Sequence, residues 1–441
     1  MHPALRRPME YVVPALLGVL FLTFLLAKLL GLAAVRLGVP SMVGEIIAGI
    51  VIANVAIGSF SLVNFLDLTP TGNGSLDVVE ALAELGLVFL VFYVGLKIRP
   101  TDLLELGRPA SKIALFGAIV PFLIGVGFFL AVEGVGNYLA ALFVGVALVA
   151  TSVGIVAHVL ESHALLEGRQ GRLILTAAVI EDIVAFVALA ILLGIAKGQG
   201  SIDLSYQVGL VIVMALGLVA VTIYVTGPIV RRYFSQDPSG AAEPKWRPSG
   251  PFIIALLLCL GAGALAESFA LAAIVGAFLA GIGMAEVAPR YGVARSFAAL
   301  NEFLVPFFFL YIGLQISGTD LLAVWPLALA ITAIAIAAKI AAGALDAKEH
   351  GREDGFAIGT AMVARGEVGV IIAVSAYQVG ALDPDYYTAI VVMAILTAII
   401  GPWMFGELQR RRWTPHPGWR MSATPAPNGP GPARSQPPPQ A

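Results

Sequence analysis

Two adjacent carboxylates lie near the middle of an apolar segment, residues 172–195, that is long enough to cross a membrane as a helix. The segment reads RLILTAAVIEDIVAFVALAILLGI, and the carboxylates are Glu181 and Asp182. A carboxylate at membrane depth costs about 2.5 kcal/mol or more on insertion scales, and packing gives no reason to place two there. The pair therefore predicts a site where a cation or a proton binds inside a membrane.

The two side chains point about 100° apart on a helix because they are neighbours in sequence. One of them can face the binding site while the other lies beside it or pairs with a base. The candidate base is Lys339, in the apolar stretch ITAIAIAAKIAAG. A lysine at such a position is either paired or extends its amine to the membrane interface, and both interpretations stay open.

Small, polar or charged residues interrupt two further apolar segments at mid-depth. In the first segment, residues 138–159, they are Thr151, Ser152 and Gly154; in the second, residues 355–377, they are Arg365, Gly366, Glu367 and Gly369. This composition is typical of a helix broken within the membrane, where unwound backbone lines a cavity and the new helix ends carry partial charges. The three glycines are the predicted helix-break positions.

The predicted cation shell contains only oxygen ligands. We expect the hydroxyls of Thr151 and Ser152, with freed backbone carbonyls, to join Asp182 and Glu181 around a hard cation such as Na⁺ or Li⁺. Lys339, Arg365 and Glu367 are the candidates for charge compensation. Two alternatives remain: the hydroxyl residues serve helix packing, and Arg365 forms a structural pair with Glu367.

Four other polar residues lie in or beside apolar segments: Lys28, Glu45, His158 and His163. Lys28 lies near the end of its segment, which favours an amine at the membrane interface. Glu45 is expected either to pair with a basic group or to cap the cavity. For the two histidines, solvated loop positions are favoured over a pH-sensing role.

The composition is that of a membrane protein. Of the 441 residues, 59% are hydrophobic and 12% are charged, against about 25% charged in a soluble domain. The sequence contains thirteen apolar segments of helical length, at residues 11–35, 40–58, 78–97, 111–131, 138–159, 172–195, 207–230, 251–267, 270–286, 299–317, 322–345, 355–377 and 386–408. The predicted fold class is therefore an all-α polytopic membrane protein.

Several functions are not expected from this composition. The one cysteine, Cys259, lies in an apolar run, so that no disulfide framework or transition-metal site is predicted. No nucleophile or metal site facing water is visible, and we expect neither an enzyme, a cofactor, nor a nucleic-acid partner. The transported cation at Asp182 would be the only metal.

Basic residues indicate the orientation of the chain. The loops after odd-numbered segments are rich in lysine and arginine, whereas those after even-numbered segments contain only Lys197. The positive-inside rule then places residues 1–10 outside the cell membrane and the C-terminus in the cytoplasm. The tail, residues 409–441, contains nine of the 27 prolines and is predicted to be disordered.

Two pairs of segments resemble each other across the chain. MVGEIIAGIVIA (42–53) matches IVGAFLAGIGMA (274–285) at six of twelve positions, and FLVFYVGLKIRPTDL (89–103) matches FFFLYIGLQISGTDL (307–321) at eight of fifteen. Partners lie seven segments apart, and an odd number inverts the second copy in the membrane. This predicts inverted five-helix repeats, about 40–195 and 270–408, joined by a linker helix at about 207–230. The broken helices of the two repeats would then cross.

Several motifs resemble the monovalent cation:proton antiporter family, its second subfamily in particular. They are GVPSMVGEIIAGIVIAN, ATSVGIVAHVL and AAVIEDI, and the resemblance covers about residues 10–408. It implies that Asp182 is the aspartate of the core helix and that Glu181 and Lys339 match an aspartate and a lysine of electrogenic sodium/proton members. It also implies a homodimer in which a core domain moves like an elevator against a dimerisation domain.

Two departures from the family pattern bear on the transported ion. Glutamate replaces the first aspartate, so the number of protons per cation stays open. No fused nucleotide-binding domain of the kind found in potassium-efflux relatives is expected, which favours Na⁺ over K⁺. We therefore predict that residues 11–408 form the membrane domain of a monovalent cation:proton antiporter. The alternatives are a sodium-coupled organic-anion symporter and a non-transporting membrane sensor or scaffold.

Overall fold

The computed structural model describes residues 9–57, 60–68, 74–98, 107–163, 165, 168–196, 213, 250–268, 273–285, 288–350 and 352–412. These are mostly helical, because a helix satisfies the backbone N–H and C=O groups of an apolar segment internally. The helices of the first half are α1 (Met9–Arg36), α2 (Ser41–Asn54), α3 (Leu62–Phe65), α4 (Ser75–Leu96), α5 (Gly107–Glu133), α6 (Tyr138–Ala147), α7 (Val153–Ser162) and α8 (Arg169–Ala196). Those of the second half are α9 (Gly250–Ser268), α10 (Ala273–Met284), α11 (Val293–Leu314), α12 (Gly318–Ala323), α13 (Trp325–His350), α14 (Arg352–Ala361), α15 (Glu367–Gln378) and α16 (Pro384–Arg412).

Eight helices in the described ranges are long and apolar enough to cross a membrane: α1, α4, α5, α8, α9, α11, α13 and α16. The prediction of an all-helical, multi-pass membrane protein is thus confirmed. Shorter apolar helices, α2, α6, α7, α10 and α15, account for other predicted segments. The predicted linker helix at 207–230 lies outside the described residues, residue 213 apart.

Two local differences from the sequence predictions concern small elements. A hairpin of two-residue strands, β1 (Ala56–Ile57) and β2 (Phe60–Ser61), follows α2 and was not predicted. The last helix continues to Arg412, beyond the predicted start of the tail at residue 409, and Gln409 is buried within it. The rest of the predicted tail lies outside the described residues.

The helices pack in two groups. The first group contains α1, α2, α4, α9, α10 and α11, in which α4 packs against α10 and α11, and α2 against α1 and α11. The second group contains α5 to α8 and α13 to α16, in which α13 packs against α5, α14 and α16. The acidic helix α8 belongs to the second group, where it packs against α5 and α6.

Two of the predicted membrane segments are broken in the middle, as their polar residues predict. One helix ends at Ala147 and resumes as α7 at Val153; the other ends at Ala361 and resumes as α15 at Glu367. Both interruptions lie within the second helix group. Because each break frees backbone groups from their helical partners, those groups must be satisfied by something else.

Candidate functional site

The two interruptions satisfy each other's backbone. The N–H of Ser152 donates a 3.0 Å hydrogen bond to the carbonyl of Ala364. The Ser152 hydroxyl also caps α7 by accepting a 3.4 Å bond from the N–H of Ile155, which is the usual role of a serine at a helix start. The broken segments are therefore joined at their centres.

Two buried cations bind the carbonyls freed at the end of α6. Arg365 Nη1 donates to the carbonyl of Ala150 at 2.8 Å, and Lys339 Nζ donates to that of Val149 at 2.9 Å. Both side chains are at most 1% exposed. A helix C-terminus carries partial negative charge, so that each cation is matched to the group it contacts.

Glu181 is held by a buried ion pair. Its Oε2 lies 2.6 Å from Lys339 Nζ and accepts a 2.7 Å hydrogen bond from the Thr151 hydroxyl. The side chain is 0% exposed, and its other oxygen, Oε1, has no hydrogen-bond partner. Lys339 makes a third bond, at 2.8 Å, to the carbonyl of Gly117 on α5. The lysine amine thus has three oxygen acceptors, which is the number of protons it can donate.

Asp182 is the next residue on α8, but no ion pair with a basic side chain is found for it among the described residues. It is 2% exposed, and its Oδ1 has no hydrogen-bond partner. Its charge is repelled by Glu367, at the start of α15, and by Glu181, is attracted by Lys339, and is hydrogen-bonded by the backbone of Thr151. Glu367 in turn accepts a 3.2 Å bond from the Ser152 hydroxyl. A buried carboxyl group beside a second carboxyl and a hydroxyl is an arrangement that a cation or a proton would complete.

A separate cavity of about 420 Å³ opens between the two helix groups. Its lining includes Glu84 on α4, Glu267 on α9 and Ser375 and Gln378 on α15. None of the predicted site residues is among the described residues that line it. Asp182 is 2% exposed and Glu181 is 0% exposed, so the site around them is enclosed in this conformation.

Comparisons with known protein families, sequences and structures all match sodium/proton exchangers or antiporters. The family described as sodium/hydrogen exchanger, transmembrane, matches residues 21–408. The chain belongs to the sodium/hydrogen exchanger family. Exchangers of this family are cation/proton antiporters rather than enzymes, and they use transported ions but no cofactor.

Individual relatives cover most of this exchanger. It is 31% identical to the Na⁺/H⁺–K⁺ antiporter GerN of Bacillus cereus, over 86% of this chain and 93% of that protein. It is 29% identical to the high-affinity Na⁺/H⁺ antiporter NhaS3 of Synechocystis, over 87% of each. The structure of the sodium proton antiporter MjNhaP1 from Methanocaldococcus jannaschii matches with a TM-score of 0.68 at 15% identity, covering 90% of this chain and 99% of that one. At that identity the structural likeness shows the fold alone.

The structure brings most of the predicted site residues of this exchanger together. Five predicted site residues make side-chain hydrogen bonds with one another in two sets: Glu181 with Lys339 and Thr151, and Ser152 with Glu367. The alternative for Lys339, an amine at the membrane interface, is wrong because that amine is buried. The alternative pair is also wrong: Arg365 donates to backbone carbonyls rather than to Glu367.

Two of the three predicted helix-break glycines need correction. Gly154 and Gly369 lie inside α7 and α15, after each helix has resumed. Only Gly366 lies in an interruption, where a Cβ would stand 2.6 Å from the Ser152 hydroxyl oxygen. The sequence showed that the helix is broken but not at which residue it resumes.

The other polar residues lie away from Asp182. Glu45 is buried on α2, and the basic group that interacts with it is Lys28 of α1, which also lies over the ring of Phe24 at 5.7 Å. His158 is exposed on α7, whereas His163 packs edge-on against a ring of α16. Of the two predictions for Glu45, proximity to a basic group is the one that agrees with the structure.

Sequence reasoning missed Gly117, and it assigned the freed carbonyls to the cation, whereas those of Val149 and Ala150 accept hydrogen bonds from Lys339 and Arg365. Backbone acceptors have no signature in side-chain identity, and Gly117 is one of 48 glycines in the chain. The signal that could have found the carbonyls is the pair of buried cations, because each must find acceptors wherever its own segment meets a broken helix.

Proposed function

We propose that this exchanger moves Na⁺ against protons across the cell membrane by letting the two ions compete for Asp182. The observation that carries the proposal is the enclosed Asp182 carboxyl, whose Oδ1 has no hydrogen-bond partner beside the joined interruptions. The neighbouring carboxylate, Glu181, is already paired with Lys339. Asp182 is therefore the acidic group left to be neutralised by a transported ion.

The exchange follows from single occupancy. An ionised carboxylate is costly to bury alone, and either a proton or a cation removes that cost. If the site changes the side to which it opens only when Asp182 is neutralised, each cation moved one way requires a proton moved the other way. A gradient of either ion then drives the other.

The residues around Asp182 supply a suitable shell. Ser152 and Glu367 provide side-chain oxygens, and Thr151 contributes its backbone and the hydroxyl that holds Glu181. Lys339 and Arg365 compensate charge and hold the freed carbonyls of α6. Oxygen-only coordination suits a hard alkali cation.

Na⁺ is the favoured cargo, with Li⁺ and K⁺ as further candidates. The names of the two relatives support Na⁺, and that of GerN includes K⁺ as well. Membership of the exchanger family favours antiport over the organic-anion symport and the sensor or scaffold role.

We further propose that the chain contains thirteen membrane helices arranged as inverted repeats. Paired helix crossings support this. A Cβ on Gly49 of α2 would lie 2.8 Å from Gly313 Cα on α11, and a Cβ on Gly281 of α10 would lie 3.0 Å from Gly95 Cα on α4. Gly49 and Gly281 occupy the same position in one repeated motif, and Gly95 and Gly313 in the other. Each crossing is thus the counterpart of the other.

The two helix groups would then have different roles. The second group, with its broken helices, is the proposed core domain, and the first is the proposed dimerisation domain of a homodimer. The excess of basic residues in alternate loops supports a cytoplasmic C-terminus and an N-terminus outside. The core would move with its bound ion against the first group.

Everted vesicles that contain the protein test the proposal. With an imposed pH gradient, addition of Na⁺ should collapse the gradient, and parallel additions of Li⁺ and K⁺ define the selectivity. Asp182→Asn keeps the shape of the side chain but cannot hold a cation by charge, so we expect no response. Asp354→Asn, on α14, is a control that should leave the response unchanged. An Asp182→Asn variant that exchanges at the wild-type rate would refute the proposal.

A further inference from the structure

Gly117 of α5 faces the ion pair between Glu181 and Lys339. Its carbonyl accepts one of the lysine's hydrogen bonds. A Cβ added to Gly117 would overlap Glu181 Oε1, would lie 3.0 Å from Glu181 Cδ, and would lie 3.7 Å from Lys339 Nζ. The glutamate carboxyl thus occupies the space that any side chain at position 117 would need.

The carboxyl has little freedom to move aside. Its Oε2 is fixed by Lys339 at 2.6 Å and by Thr151 at 2.7 Å, and the whole side chain is 0% exposed. A carboxyl group is planar and rigid, so displacing Oε1 also displaces Oε2 from both donors. Hydrogen bonds weaken steeply when their distance and angle are disturbed. The backbone can stay in place while the ion pair is lost.

We infer that Gly117 is a positioning residue that sets the length of the acidic side chain at position 181. Glycine at this position admits glutamate, whereas alanine would admit only the shorter aspartate. The inference rests on the proposed role of the Glu181–Lys339 pair in exchange. It also explains how a glutamate fits where its carboxyl must meet a buried lysine from the neighbouring α13.

Aspartate at position 181 would restore the space. It is one methylene shorter, which withdraws the carboxyl from α5 by about 1.5 Å. The flexible four-carbon stem of Lys339 can follow it. The cost of Gly117→Ala should therefore depend on which acid is present, and this dependence distinguishes positioning from a general packing defect.

The experiment compares Gly117→Ala, Glu181→Asp and the double variant in the full chain, with Gly127→Ala as control. Gly127 lies on the same helix, and a Cβ there would meet nothing within 4 Å. Na⁺-dependent collapse of a pH gradient gives the exchange rate, and thermal melting in detergent gives a second, independent measurement. We expect Gly117→Ala to slow exchange by at least about tenfold, Gly127→Ala to have no effect, and the double variant to exchange faster than Gly117→Ala alone.

Two results of the transport measurement would overturn the inference. One is a Gly117→Ala variant that exchanges as fast as Gly127→Ala. The other is a double variant as slow as Gly117→Ala while Glu181→Asp alone is active. If Glu181→Asp alone is inactive, the melting temperatures decide: a smaller loss for Gly117→Ala in the aspartate background supports the inference, and equal losses in both backgrounds refute it. Because melting requires no transport, a wild-type protein that exchanged no cation would refute the proposed function and leave this test intact.

Discussion

Lys339 and Glu181 form an ion pair with 2.6 Å between Nζ and Oε2, and the exposed fractions of their side chains are 1% and 0%. The pair joins α8 to α13 and is completed by two backbone carbonyls and a hydroxyl. Asp182, the next residue, has no such basic partner. The neighbouring carboxyl groups therefore have different environments: Glu181 has a fixed charge partner, and Asp182 is the group that we propose a transported ion neutralises.

Removing Lys339 should destabilise the protein more than removing the whole pair. Lys339→Met leaves Glu181 buried without its cation, which typically costs about 3–5 kcal/mol. The double variant Lys339→Met/Glu181→Gln removes both charges and should recover a large part of that loss. Thermal melting in detergent measures both effects, and a double variant less stable than Lys339→Met would contradict the ion-pair argument.

Glu181→Gln should change the electrical character of exchange and not only its rate. The substitution removes the negative charge that balances Lys339, so the net charge of the site during transport shifts by one. We expect the dependence of exchange on membrane voltage to differ from that of the wild type. Proteoliposomes with the potential clamped by K⁺ and valinomycin measure it, with Na⁺ as the cargo. Identical voltage dependence in the two proteins would show that Glu181 takes no part in charge movement.

Ser152→Ala should weaken cation binding. The hydroxyl donates to Glu367 and caps α7, so its loss removes the oxygen that holds Glu367 and the side-chain acceptor for the N–H of Ile155. We expect the KM for Na⁺ to rise by about tenfold. Ser162→Ala, at the other end of α7, is the matched control, since its hydroxyl bonds only within its own helix turn among the described residues, apart from the adjacent His163 ring. Equal KM values for the two variants would remove Ser152 from the site.

Gly366→Ala and Gly154→Ala should behave differently although both glycines lie near a broken helix. A Cβ on Gly366 would stand 2.7 Å from Ser152 Cβ, whereas one on Gly154 would meet nothing within 4 Å. We expect Gly366→Ala to separate the two interruptions and abolish most exchange, and Gly154→Ala to leave the rate unchanged. Transport in vesicles of matched protein content decides between them, and a slow Gly154→Ala would show that the open face of α7 matters.

The central acidic pair and the two broken helices could be predicted from sequence because a membrane makes polar residues conspicuous. Glu181 and Asp182 stand out in an apolar run, and Arg365 stands out in another. The pairing of Lys339 with Glu181 could be proposed as well, since a buried lysine needs an acid. These predictions depend on the cost of burying charge, which is large enough to be read from residue type.

Contacts made by backbone groups, or in the space that a glycine leaves free, could not be predicted in this way. The carbonyl of Val149 accepts from Lys339 only because α6 ends there, and the sequence does not fix that residue. Gly117 matters because Glu181, on another helix, fills the place of its missing side chain. Such relationships depend on how the helices pack and appear only when both partners are placed.

The glycine crossings make the two halves of the chain depend on each other during synthesis. Gly49 lies in contact with Gly313, which the ribosome adds long after α2 has entered the membrane. At about 5–20 residues per second, α2 waits tens of seconds for its permanent neighbour. Neither half of the chain contains both helices of a crossing. A nascent chain arrested before α11 should therefore expose the backbone of α2 around Gly49 to lipid or to an insertion chaperone.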